Sequence, residues 1–258
     1  MSFKDKAFLI TGGCTGIGFA TARHLLAEGA KVAVTDIAQA TVDRAVAELA
    51  GGDRVIGLAG DAANTKAMAA VVAETASRFG QLDGLVASAG IRQRSVAITE
   101  LTDDVWDEVI RVNLRGVFVS CRAAVPHLIA SQGAIVTVSS LSADVGRLEQ
   151  TAYCASKAGV AQFSRALSLE LAQYNVRVNT VCPGSIDTPM VRKAQEQDGP
   201  QTLRDRVEGS PARFRAGIPL RRIGEPQDLA DLIGFLLSSS AKHITGQAIN
   251  IDGGESVI

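Results

Sequence analysis

Short, nearly continuous apolar runs recur along the chain at about 7–11, 31–35, 54–59, 83–88, 133–139, 176–181 and 248–251. Between them the apolar positions return every three or four residues, which predicts helices near 17–28, 39–50, 65–79, 103–130, 152–173 and 226–238. Thr102, followed by Asp103 and Asp104, supplies a capping hydroxyl and first-turn acids for one of them. Gly29 stands where the first helix should end. A strand that is apolar at successive positions has both faces covered, the mark of a parallel sheet between helices. The alternation therefore predicts an α/β fold with helices on both faces of the sheet. No repeat, low-complexity tract or linker divides the chain, so residues 1–258 are expected to form one doubly wound domain.

Gly12, Asp36, Asp61, Gly90, Ser140 and Pro183 all fall at the carboxyl ends of predicted strands. That is where ligands sit on such sheets. The first strand, Lys6-Ala-Phe-Leu-Ile10, runs into Thr11-Gly-Gly-Cys-Thr-Gly-Ile-Gly18, and a helical pattern follows to Glu28. Glycines in such a turn let backbone N–H groups and a helix N-terminus approach a pyrophosphate. The spacing is G-x-x-x-G-x-G, however, and a glycine turn alone is equally a tight connection between packed elements. The next strand adds weight, because it ends at Asp36, eighteen residues after Gly18. A carboxylate there would grip ribose hydroxyls and repel a 2′-phosphate. Thr15 and Ile37 offer no cation to hold one, which favours NAD over NADP; the alternative is a solvated strand-end aspartate.

The middle of the chain carries the chemistry. A predicted strand ends at Ser140, Tyr153 follows thirteen positions later, and Lys157 lies one helical turn beyond Tyr153. A phenol with pKa about 10 is a poor base near neutrality. A fixed positive charge favours the phenolate, so Lys157 would make Tyr153 a usable acid/base. Ser140 would hydrogen-bond the oxygen that gains or loses the proton. Such a set moves a proton on and off a carbinol oxygen, and it needs a hydride carrier beside it.

Composition narrows the partners. The 258 residues are 47% apolar with a net charge of −1 and no basic run, which argues against nucleic acid or an anionic membrane surface. No apolar stretch nears the roughly 18 residues of a membrane span. The N-terminus has only Ala7 to Ile10 before its glycines, so no secretory signal is expected. Cys14, Cys121, Cys154 and Cys182 show no metal-ligand spacing, and His24, His127 and His243 are scattered. No metal is expected, and free thiols fit a cytoplasmic enzyme.

Assembled, these motifs resemble those of the short-chain dehydrogenase/reductase family. The likeness spans Thr11 to Gly254: the glycine turn, Asp61-Ala62, Asn113, Ser140, Tyr153-x-x-x-Lys157, Pro183-Gly184 with Thr188, and Ile251-Asp-Gly-Gly254. It implies a Rossmann-like, seven-stranded parallel sheet, commonly in a homotetramer. It also implies roles. Tyr153 would be the acid/base, Ser140 the substrate-orienting donor, Lys157 the cofactor ribose ligand and tuner of Tyr153, and Asn113 the holder of a relay water. The cofactor would contact Gly12, Thr15, Gly16, Ile17 and Gly18, then Asp36, with Asp61 and Ala62 at the adenine. Ala89, Gly90, Pro183, Gly184, Ile186 and Thr188 would flank the nicotinamide and pyrophosphate. The chain departs from the family's Asn-Asn-Ala-Gly at Ala87-Ser88-Ala89-Gly90, so the hydrogen bonds of the missing amides are expected from Ser88 or water.

The expected reaction is NAD-linked interconversion of a small-molecule secondary alcohol and a ketone. In the family the segment here spanning about 186–222 closes over substrate. From Val191 to Arg222 eight basic residues stand against four acids. Arg92 and Arg94 would approach the same cleft. Either the segment holds an anionic substrate through an arginine fork, or it is an ordinary solvated helical lid. Ala89-Gly-Ile-Arg92, Phe214-Arg-Ala-Gly-Ile-Pro-Leu220 and His243-Ile-Thr245 are similar to segments of dehydrogenases of cyclic dihydrodiol carboxylates, the 2,3-dihydro-2,3-dihydroxybenzoate type. A 3-oxoacyl reductase and a non-catalytic NAD(H)-binding protein are the other readings.

Overall fold

Seven strands form where the apolar runs lie, in a computed structural model that describes residues 2–199 and 201–257. They are β1 (Ala7–Thr11), β2 (Lys31–Asp36), β3 (Val55–Ala59), β4 (Gly84–Ala87), β5 (Ala134–Val138), β6 (Arg177–Pro183) and β7 (Ala248–Ile251). All pair in parallel, in the order β3-β2-β1-β4-β5-β6-β7. The sheet is Rossmann-like. The chain winds outward in one direction from β1 and then in the other from β4, and this reversal opens a crevice above the β1–β4 pair.

Strand side chains alternate between two cores. Phe8 and Ile10 of β1 pack with Leu25 and Leu26 of α1 (Gly16–Ala27) and with Leu229 and Ile233 of α9 (Pro226–Leu237). Ala7 and Leu9 face the opposite way, toward Met68 and Val72 of α3 (Thr65–Phe79), Leu128 of α5 (Gly116–Ser131) and Val160 of α6 (Thr151–Ala172). Each fully buried large apolar side chain contributes about 1.5–3 kcal/mol, so both sheet faces are strongly fixed. Below the sheet, the buried Asp83 carboxylate accepts from Ala7 N and Lys6 Nζ at 2.8 Å, tying the start of β4 to β1.

Two segments differ from the pattern's prediction. The single helix expected over 103–130 is α4 (Asp103–Ile110) and α5 joined by a π-helical turn, Arg111–Arg115. Thr102 caps α4 as expected, its hydroxyl accepting from Val105 N at 3.4 Å. The segment 186–222 contains α7 (Pro189–Asp198) and α8 (Gln201–Glu208), which no apolar stripe announced. Both are polar helices laid over the carboxyl ends of the strands rather than packed on the sheet. A second helix on the β2 side, α2 (Gln39–Leu49), matches its prediction.

Candidate active site

A cleft of about 430 Å³ opens along the carboxyl ends of β1, β2, β4, β5 and β6. Gly12, Thr15, Gly16, Ile17, Asp36, Asp61, Ala62, Ala89, Gly90, Pro183, Gly184, Ile186 and Thr188 line it, together with Ser140, Tyr153 and Lys157. Gly18 does not reach the cleft wall. It lies beneath the turn, where a Cβ would run into the Gly12 carbonyl oxygen. Gly12 has φ +63°, and a Cβ on it would stand 2.9 Å from Ala89 Cα. The turn is thus a bare backbone cradle on two sides, and this fits a pyrophosphate at the N-terminus of α1. Thr188 lies opposite, its methyl 3.3 Å from where a Gly16 Cβ would be. Its hydroxyl accepts from Val191 N at 3.3 Å and so caps α7.

At the far end of the cleft Asp36 and Ile37 close the wall. Asp36 Oδ1 accepts from Ile37 N at 2.8 Å. Asp61 accepts from Ala63 N at 2.9 Å and from Arg111 Nη1 at 2.7 Å, while Arg111 also forks onto Glu108 at 2.6 and 2.9 Å. The pair holds the Glu108 carboxyl below its ordinary range, through the Arg111 hydrogen bond. Sequence reasoning found Asp61 and missed Arg111. An acidic residue three positions before an arginine on a predicted helix was the available signal.

At the end of the fourth strand Thr11 takes two backbone donors: its hydroxyl accepts from Ala89 N at 3.3 Å and its carbonyl accepts from Ser88 N at 3.2 Å. Asn113 sits fully buried within the π turn. Its side-chain oxygen accepts from Ile91 N at 2.7 Å, and its Nδ2 donates to Ile91 O at 3.0 Å and Ser156 Oγ at 3.2 Å. Both ends of the amide are spent on Ile91, so the side chain clamps the chain after Gly90. π turns recur at functional sites.

Tyr153 and Ser140 both line the cleft, and the serine acts on the phenol. Ser140 Oγ also accepts from Ser142 N at 3.1 Å, which fixes its rotamer. Burial pushes the Tyr153 phenol above its ordinary pKa, against downward pulls from the Ser140 hydrogen bond and the Arg206 charge. This differs from the expectation that Lys157 brings Tyr153 down. Lys157 Nζ stands 5.8 Å from the Tyr153 ring centre and donates to Val138 O at 2.9 Å. Burial lowers Lys157 itself to about 8. In this structure the lysine is pinned in the cleft wall, and the serine and an arginine are the groups that pull the phenol's pKa down.

A buried glutamine sets the position of Tyr153. Gln93 Oε1 accepts from Tyr153 N at 3.0 Å, and its Nε2 donates to Glu149 O at 3.2 Å. The first turn of α6 has no side-chain cap of its own, so Gln93 does that work from another element. Replacing Gln93 with Leu is expected to lower turnover about tenfold while binding of a reduced nicotinamide dinucleotide, followed by fluorescence, changes less than threefold. An unchanged kcat would show that α6 positions Tyr153 without it.

Beside the cleft, and sharing Ser140, Tyr153, Pro183 and Gly184 with it, lies a second cavity of about 110 Å³. Arg92, Arg147, Arg206 and Arg215 line it. Arg94, expected near the cleft, is exposed and lines neither space. Arg147 was not foreseen. Burial raises the Cys14 and Cys121 thiols to about 12 and the Cys182 thiol to about 11, so these are inert. Among the described residues there is no group of three potential metal ligands, and no helix is long and apolar enough to cross a membrane.

A family model described as enoyl-(acyl carrier protein) reductase matches residues 12–256, and the chain belongs to the short-chain dehydrogenase/reductase family. Among its relatives, cis-4-hydroxycyclohexanecarboxylate dehydrogenase of Sinomonas cyclohexanicum is 35% identical, covering 100% of this chain and 99% of that protein. The 2,3-dihydro-2,3-dihydroxybenzoate dehydrogenase of Bacillus subtilis is 36% identical over 98% of this chain and 97% of its own. Among solved structures, a 3-ketoacyl-(acyl-carrier-protein) reductase from Brucella melitensis complexed with NADH superposes with a TM-score of 0.86, at 30% identity, covering 99% of this chain and 100% of that one.

Proposed function

We propose that this protein is an NAD-dependent oxidoreductase that interconverts a secondary alcohol and a ketone. The observation that carries the reading is the placing of Ser140 and Tyr153 together in the walls of both cavities, with Lys157 pinned beside them by the Val138 carbonyl. The glycine cradle and the cleft-end carboxylate of Asp36 fit a dinucleotide without a 2′-phosphate. When bound, the cofactor supplies the acceptor for the hydride that leaves the carbinol carbon. Tyr153, as phenolate, takes the hydroxyl proton while the carbon–oxygen double bond forms, and returns it in the reverse direction. Ser140 donates to the substrate oxygen and holds it against the phenol. Lys157 anchors the ribose, and the clamp of Asn113 on Ile91 keeps the Gly90 end of β4 against the nicotinamide side. The segment 186–222 is the lid over substrate.

Support for NAD(H) comes from the NADH complex of the Brucella reductase. Two relatives are named for alcohols on six-membered rings, which suggests a ring alcohol here. The Brucella protein, a ketoacyl reductase, sustains a second reading in which the substrate is a 3-oxoacyl thioester. The test is NADH or NADPH formation from matched ring alcohols, with acetoacetyl-CoA in the reverse direction. NAD is expected to exceed NADP at least tenfold in kcat/KM, and Asp36→Ala is expected to erase most of that margin by weakening NAD. A preference for NADP in the unmodified protein would overturn the cofactor assignment.

A further inference from the structure

The second cavity is cationic by construction. Four guanidiniums line it, and none of its described lining residues is acidic. A carboxylate reaches two of them from behind: Glu255, almost fully buried, pairs with Arg147 at 2.6 Å and with Arg215 at 3.0 Å. Arg206 and Arg215 converge on a single neutral acceptor, donating to Ser185 Oγ at 3.3 and 2.9 Å. Arg147 and Arg215 are only 13% and 17% exposed, and Arg215 Nε is buried and donates to no protein acceptor. Burial lowers the Arg215 pKa to about 10, and repulsion from Arg147 and Arg206 acts in the same direction against the lift from Glu255.

Gathering cations out of water is costly unless anions and hydrogen bonds complete the set. The other arginines of this region show the contrast. Arg192, Arg204, Arg213 and Arg222 each pair with a carboxylate at the surface, with Asp187, Glu208, Glu149 and Asp228 respectively. These four arginines are neutralised pairwise at the surface, while Arg147 and Arg215 share one buried glutamate behind the cavity. A guanidinium fork matches a carboxylate in two parallel hydrogen bonds. The space is small, about 110 Å³, and its walls include both Ser140 and Tyr153. A molecule with its carbinol at Tyr153 has room there for a compact acid group.

We propose that the substrate is a small hydroxy- or oxo-carboxylate, its acid group held by Arg92, Arg147, Arg206 and Arg215 while its carbinol faces Tyr153 and Ser140. This rests on the oxidoreductase reading above, so the experiment has two independent readouts. The first is calorimetric binding of a graded set of small acids, propionate, benzoate and cyclohexanecarboxylate, to the protein–NADH complex, each against its own amide. At least one acid is expected to bind tenfold or more tightly than its amide. That preference is expected to vanish in Arg206→Met and to survive in part in Arg206→Lys, which keeps the charge and guards against a folding defect. The second is NADH formation from cis-4-hydroxycyclohexanecarboxylate, 3-hydroxybutyrate and their methyl esters. The acid-to-ester ratio of kcat/KM is expected to exceed one hundred for at least one pair, and to fall at least tenfold in Arg92→Met. Equal binding of every acid and amide, or equal turnover of acid and ester, overturns the proposal. Acid binding that depends on Arg206 without turnover of any compound upholds the anion pocket and overturns the oxidoreductase reading instead.

Discussion

Tyr153→Phe is expected to abolish turnover while leaving NADH binding nearly intact. The substitution removes one oxygen, the phenol oxygen whose pKa Ser140 pulls down. The ring remains, held through its backbone by Gln93, and Lys157 keeps its bond to the Val138 carbonyl. A positioned acid/base contributes about 10²–10⁴ in rate, so the loss should be at least a hundredfold in kcat. Retention of more than a few per cent of activity, with normal NADH fluorescence titration, would sink the assignment of Tyr153. A pH series adds a sign. Burial raises the phenol's pKa, so near neutrality the proton is on, as ketone reduction requires. Alcohol oxidation needs the phenolate, and its rate should climb as pH rises toward the phenol pKa, whereas reduction should decline over the same range. Opposite slopes in the two directions are the expected result, and parallel slopes would point to a different titrating group.

Gly18→Ala is expected to damage both stability and nucleotide binding, although Gly18 touches no part of the cleft. Its Cβ would run into the Gly12 carbonyl oxygen and come within 2.8 Å of the Gly12 carbonyl carbon. Neither atom can rotate away, because both belong to the turn. Either α1 shifts outward from the sheet or the turn opens. Overpacking of this kind costs about 1–3 kcal/mol, and at about 2–4 °C per kcal/mol for a chain near this size the melting temperature should fall by about 2–12 °C. NADH affinity should drop at least tenfold, because the backbone N–H groups facing the pyrophosphate move with the turn. Thermal melts with and without NADH measure both. A variant stabilised by NADH as strongly as the unmodified protein would show that the turn absorbs the methyl.

The strands were legible because runs such as Phe8-Leu-Ile10 and Val32-Ala-Val34 are apolar toward both faces, and the sheet buries both. The cleft along the strand ends was legible because its residues follow those ends directly, so their place depends on local register alone. The lid helices were not, since Pro189–Asp198 and Gln201–Glu208 carry little apolar surface and owe their position to the strand ends beneath them. The arginine-lined cavity was half visible. Charge counting found the excess but could not sort Arg206 and Arg215, which turn inward, from Arg204 and Arg213, which pair outside. Arg147 and Glu255 gave no signal, because their ion pair joins positions 108 residues apart. Lys157 shows the opposite failure. Its spacing from Tyr153 was read correctly, yet a one-turn separation does not say that its ammonium ends on a strand carbonyl.

The widened turn at Arg111–Arg115 makes chain length, rather than residue identity, the quantity that the Asn113 region must keep. Each residue of a regular helix advances the azimuth by about 100° and the axis by about 1.5 Å. Removing one residue there would let the bulge relax into regular helix and turn α4 and α5 relative to one another by about a quarter of a revolution. Asn113 would then swing off Ile91, and the Thr102 cap and the Leu128 anchor could not both stay seated. Point changes on the outer surface of this helix pair are the tolerant kind of variation, and single-residue insertions or deletions are the kind that unlock it.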